Sequence, residues 1–130
     1  MHTKLGRVVI LVDDYDKAFD FYEKNFFCKK THDSVGENGQ RYLHIAFTEN
    51  ESIGIWFLKT DETQKEKIGT QTAGQPTLVI YTDDIGLLYK HVRSNHVRII
   101  QDLVSTMDSK FFQCLDLYGN RLTIVELTEG

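Results

Sequence analysis

Short apolar runs set between polar, charged turns divide the chain into elements of two kinds. Arg7–Val12 is an unbroken run of Val, Ile and Leu closed by Asp13-Asp14, which reads as a buried strand. Beyond it Ala18, Phe19, Tyr22 and Phe26 recur at helical spacing, so a helix is expected with that side toward the core. The two aspartates supply its cap, and Asp16 favours its positive end. A second strand follows over Lys29–Val35, then a GENGQ turn whose Asn38-Gly39 is a hairpin signal. Strands over Arg41–Thr48 and Ser52–Leu58 complete a βαβββ unit.

The same pattern then returns. Arg41–Leu58 overlays Lys110–Leu127 at an offset of 69 residues (110 − 41), and the apolar run with its Asp-Asp pair reappears as TLVIYTDD from Thr77. Pro76 opens a strand, where a missing N–H does least harm. A helix with Ile85, Leu88 and Val92 on one side follows Asp83-Asp84, and strands are expected over Val97–Val104, Lys110–Leu115 and Arg121–Leu127. Recurrence of the pair before a helix makes both pairs caps rather than an acid/base or metal centre. The expected organisation is one domain over residues 1–130, built from a first unit at 5–58, a polar linker at 59–75 and a second unit at 76–127. Each half alone is marginal in size, so each needs the other or a partner's copy.

Composition narrows the function. A net charge of −4 argues against nucleic acid as a partner, since that needs a basic surface. Cys28 and Cys114 sit beside apolar runs without C-x-x-C spacing and read as small buried thiols. No signal peptide or membrane-spanning run is present, so a cytoplasmic protein with no membrane partner is expected.

Two βαβββ units, a first strand ending V-x-D, the helix DKAFDFYEKNF and the closing hairpin DLYGNRLTIVEL together resemble the glyoxalase/bleomycin-resistance/extradiol-dioxygenase superfamily, the vicinal oxygen chelate proteins. The resemblance implies an α+β fold whose curved, mostly antiparallel sheets enclose a cleft, helices outside, and a homodimer. It also implies a test for metal. Metal-using members carry His or Glu on the first and last strands of each unit. Those positions fall here on Arg7 and Thr77, on Gly54 (or Trp56 if the register slips by two) and on Thr123. None replaces the usual ligand set, so no metal and no cofactor are expected. The family's helix-terminating Gly is also absent, leaving Asn25 and Asn95 as candidates for a left-handed cap.

Strand alternation sets Tyr42, His44 and Ala46 on one face and Leu43, Ile45 and Phe47 on the other, and the apolar face belongs under the helix. Carried through the repeat, Tyr42 corresponds to Phe111, His44 to Gln113, Gly54 to Thr123 and Trp56 to Val125, with Tyr81 as a further wall. The predicted lining is aromatic with scattered polar groups: Arg7, Tyr42, His44, Gly54, Trp56, Thr77, Phe111, Gln113 and Thr123. Gly54 leaves space opposite Trp56, and Arg7, if inward, calls for Glu126, Glu51 or a ligand acid group as partner. The remaining histidines are scattered over other elements. No Ser/His/Asp or Cys/His set is readable, so no catalytic residue is assigned. The reading is metal-independent binding of a small organic molecule, as in the drug-sequestering branch of the family. The alternatives are an enzyme acting without metal, with His44 or Tyr42 moving a proton, and a non-catalytic interaction domain.

Overall fold

The structure, a computed structural model, describes residues 1–50 and 53–127. Its elements run β1 (Arg7–Val12), α1 (Tyr15–Phe26), β2 (Lys29–Val35), β3 (Arg41–Ala46), β4 (Gly54–Lys59), β5 (Pro76–Tyr81), α2 (Ile85–Ser94), β6 (Ile99–Ser105), β7 (Ser109–Leu115) and β8 (Arg121–Leu127). The chain divides into two compact units, Met1–Ile68 and Gly69–Gly130. Each holds one helix and an open, four-stranded mixed sheet, ordered β1-β4-β3-β2 in the first and β5-β8-β7-β6 in the second. The first strand of each runs parallel to the last, and the other pairings are antiparallel. The α+β class and its two βαβββ units are therefore as the sequence predicts.

Boundaries differ in places. β3 ends at Ala46 rather than Thr48, and β6 starts at Ile99 rather than Val97. The polar linker contains a 3-10 segment, Glu62–Lys67, whose first turn is capped by the Asp61 carboxylate on the Thr63 N–H. Ser52, the expected start of the fourth strand, lies outside the described residues.

One helix serves each sheet. In the first unit Ile10, Val12, Leu43, Ile45, Ile55 and Phe57 are buried on one face, where the fully buried Tyr22 ring of α1 lies 5.6 Å from Phe57. In the second, Ile80, Phe112, Cys114, Leu122 and Ile124 are buried, and Tyr89 of α2 sits 5.0 Å from Phe112. Burying each large apolar side chain contributes about 1.5–3 kcal/mol, so these faces hold the units together. Both cysteines are buried and neither forms a disulfide, and burial pushes the Cys114 thiol up to about 12, as expected of an inert core thiol.

The pairing refines the repeat. Asp14 and Asp84 each cap their helix through a side-chain oxygen, on the N–H of Lys17 and of Leu87, and are 70 residues apart (84 − 14). His44 pairs with Trp56 and Gln113 with Thr123, so Trp56 corresponds to Thr123, 67 residues apart (123 − 56). The correspondences of Gly54 with Thr123 and of Trp56 with Val125 are thereby corrected. The connection 116–120 is two residues shorter than 47–53, and a constant offset ignores that. Because the slip is even, every residue keeps its predicted face.

The helix ends are also corrected. Neither Asn25 nor Asn95 is left-handed: Asn25 is buried inside α1, donating to the Phe21 carbonyl, and Asn95 has φ −92°. The left-handed residues are Phe27 (φ 61°) and His96 (φ 63°), equivalent positions 69 apart (96 − 27). At Phe27 the N–H bonds to Glu23 O at 3.0 Å and the next N–H, of Cys28, to Tyr22 O at 3.3 Å, closing a Schellman-type end. An aromatic residue adopts this backbone only under strain. Phe27 is 62% exposed, so its ring recovers little by burial. Phe27→Gly is expected to stabilise the protein by about 1 kcal/mol, read as a higher urea midpoint at unchanged slope. A lower midpoint would show that the ring's contacts outweigh the strain.

Candidate functional site

The face of each sheet turned away from its helix carries the candidate residues. In the first unit the registers His32↔His44, His44↔Trp56 and Val9↔Trp56 line up one rung across all four strands. Three of its side chains are aromatic rings. His32 and His44 lie 5.1 Å apart with planes 33° from parallel, and His44 meets Trp56 edge-on at 5.8 Å. Tyr42, one alternation along β3, stands 6.1 Å from Trp56. Such contacts stiffen a sheet face by about 0.5–1.5 kcal/mol each and leave flat apolar surface for a ligand.

Arg7 lies on the same face, beside Gly54 on the neighbouring strand. A side chain on Gly54 would sit 2.7 Å from the Ile45 carbonyl oxygen and 3.4 Å from Arg7 Cδ. The space at Gly54 is thus used by the Arg7 side chain and the close β3 backbone, rather than being left open opposite Trp56. Arg7 Nε donates to His44 Nδ1 at 3.3 Å, and Nη1 donates to the Gly6 carbonyl at 2.8 Å. No carboxylate pairs with Arg7 among the described residues. Glu126 lies on the helix side of the second sheet, accepting the Ile85 N–H and facing Lys110, so it is not the partner proposed for Arg7. Glu51 lies outside the described residues.

His44 must present a lone pair at Nδ1 to accept from Arg7, so its ring is neutral there. Burial, then the Arg7 guanidinium, then His32 hold its pKa below the ordinary 6.5. A second donor stands close by. The Trp56 indole Nε1 is buried and meets no acceptor among the described residues, which costs about 1–3 kcal/mol unless water or a ligand atom satisfies it.

On the corresponding face of the second unit two polar pairs satisfy each other. Gln113 Nε2 donates to Thr123 Oγ1 at 3.0 Å, and Thr77 Oγ1 shares a hydrogen bond with Thr72 Oγ1 at 2.9 Å. Phe111 is half-buried and pairs with Val125, while Val79 and Tyr81 are exposed on the face of β5 away from α2. Arg7, Tyr42, His44, Gly54 and Trp56 therefore form one patch on the first sheet, and Thr77, Phe111, Gln113 and Thr123 belong to the corresponding face of the second. His32 was missed by sequence reading, which scattered the histidines. Counting back from the hairpin closed by Val35 and Arg41 places it opposite His44.

Two helix-backed βαβββ sheets with polar-aromatic open faces define a recognisable class. The family model described as Glyoxalase/Bleomycin resistance protein/Dioxygenase superfamily matches residues 4–124, and the chain belongs to that superfamily. An uncharacterized protein of Shewanella frigidimarina (strain NCIMB 400) is 21% identical over 131 residues, covering 99% of this chain and 97% of that one. Among solved structures, UcmS2 superposes with TM-score 0.81 at 20% identity over 96% of this chain and 98% of its own. TnmS3, an antibiotic binding protein from Streptomyces sp. CB03234, gives 0.79 at 19% identity over 98% of each chain.

The residues at the superfamily's ligand positions do not fit a metal. The corrected pairing selects Trp56 over Gly54 as the counterpart of Thr123. Arg7 has no lone pair to give and the indole N–H is donor only. The two threonine hydroxyls are neutral and already hydrogen-bonded. Among the described residues no group of three or more His, Cys, Asp or Glu side chains is placed to hold an ion.

The His44 environment has a measurable consequence. With its folded pKa lowered, His44 favours folding in its neutral form; that contribution is full above pH 6.5 and is lost as pH falls through the lowered value. In an NMR titration the His44 ring should show a midpoint below 6.5, and Arg7→Met should move it upward. A midpoint at or above 6.5 would remove the Arg7–His44 contact from the site.

Proposed function

We propose that this protein binds a small organic molecule without a metal, on the open face of its first sheet. The observation that carries the reading is the rung of His32, His44 and Trp56 with Tyr42 beside it, a flat aromatic surface flanked by hydrogen-bond donors. The ligand-free character of the superfamily's metal positions supports it, as does the likeness in fold to an antibiotic binding protein. The reading of binding rather than turnover is supported by the Arg7 guanidinium occupying His44 Nδ1, which leaves that nitrogen no free lone pair to take a proton. Among the described residues no helix is long and apolar enough to cross a membrane.

Trp56 is the only tryptophan, so its indole N–H gives a single NMR cross-peak at the site. Polycyclic aromatic compounds that bind should shift that peak, and Trp56→Ala should weaken their binding by about 1 kcal/mol or more. Elemental analysis of the same dialysed protein should find no stoichiometric transition metal. Near one equivalent of metal per chain, or ligands indifferent to Trp56, would sink the reading.

We further infer a homodimer. β1 and β2 leave edges unpaired in the first sheet, as do β5 and β6 in the second, and Val79 (55%) and Tyr81 (68%) are exposed. Such edges and apolar residues favour a symmetric partner. Light scattering should give twice the chain mass; a monomer at tens of micromolar contradicts it.

A further inference from the structure

The open face of the first sheet has a one-sided charge pattern. Its polar side chains among the described residues are Arg7, Lys29, His32, Ser34, Tyr42, His44 and Trp56, with no carboxylate among them, in a chain of net charge −4. Several acids of this unit are placed elsewhere. Asp33 points to the helix side, where it forms a bidentate pair with Arg41, which also reaches Asp16 of α1. Asp13, Asp14 and Glu62 line a separate polar hollow with Lys17, Lys59 and Lys65 at the far ends of β1 and β4. Arg41 and Arg7 are therefore opposite cases on opposite faces. Arg41 is held by two carboxylates, whereas the acceptors on Arg7 among the described residues are a carbonyl and an imidazole nitrogen.

Arg7 is exposed, its Nη2 has no hydrogen-bond partner among the described residues, and its position is fixed on two sides by Gly6 O and His44 Nδ1. A guanidinium held this way keeps a donor edge free for a planar oxyanion, the geometry it matches best. Arg7 touches His44, the middle ring of the aromatic rung, so an oxyanion on Arg7 sets an attached ring system against His44 and Trp56. A cationic ligand would instead meet a fixed positive charge with no acid to balance it.

We propose that the ligand of this face is a planar aromatic acid, with its carboxylate or equivalent oxyanion on Arg7 and its ring on the His44–Trp56 surface. This rests on the small-molecule reading above and adds the sign of the ligand's charge.

The test uses two probes with the same ring and opposite charge, 2-naphthoate and 2-naphthylmethylammonium, titrated into the full chain while following the Trp56 indole cross-peak. The expected result is that naphthoate binds at least about tenfold more tightly. In Arg7→Met the two affinities should converge to within about threefold, and Arg7→Lys, which keeps the charge, should retain part of the preference. Equal binding of the probes, or preference for the ammonium, overturns the charge assignment and leaves the small-molecule reading standing. A naphthoate preference that survives in Arg7→Met overturns the role of Arg7. If neither probe moves the Trp56 peak at millimolar concentration, the small-molecule reading falls as well.

Discussion

Each sheet in this protein has two faces and only one helix, and that imbalance governs the rest of the structure. The helix takes the apolar face, through Tyr22 on Phe57 in the first unit and Tyr89 on Phe112 in the second. Alternation along each strand then commits every other side chain to the opposite face whatever its chemistry. Once Phe57 is placed under α1, Trp56 has no choice. Its neighbours across the sheet, His44 and Val9, are fixed by the same step. A sheet face without a helix must be compatible with water or with a partner, and a mixture of rings, one arginine and short polar groups meets that condition.

The same alternation explains what could be read in the sequence and what could not. Faces were legible because their period is two, and even the wrong offset across β4 and β8 was harmless because the shorter connection 116–120 moves the register by an even number. Contacts were less legible. His32 could have been placed by counting from the Asn38-Gly39 hairpin, but Glu126 as the partner of the Ile85 N–H could not, because that bond joins β8 to α2. The left-handed residues were beyond local reading altogether. Neither Phe nor His favours φ near +60°, and the helix-closing hydrogen bonds of Phe27, Cys28, His96 and Val97 impose it at both equivalent positions.

The superfamily assignment and the poor fit of these residues to a metal are compatible because the fold does not depend on the ligand positions. Arg7, Trp56, Thr77 and Thr123 all lie on open faces, outside the helix-covered cores. Their side chains can change with little effect on the packing that holds each unit. Arginine at the first of these positions is a fixed cation beside Gly54, where a side chain would meet the Ile45 carbonyl at 2.7 Å.

The two units differ in how the polar groups of their open faces are satisfied. In the second, Thr123 with Gln113 and Thr77 with Thr72 satisfy each other within the unit. In the first, among the described residues, the Arg7 guanidinium has donors to spare and the Trp56 indole has no acceptor. Leaving a buried donor unmet is costly in a face that serves only the fold, whereas a face that receives an acceptor from outside recovers that cost on binding. The repeat supplies two corresponding surfaces, and among the described residues the first keeps an indole donor and a guanidinium edge that its own residues do not use.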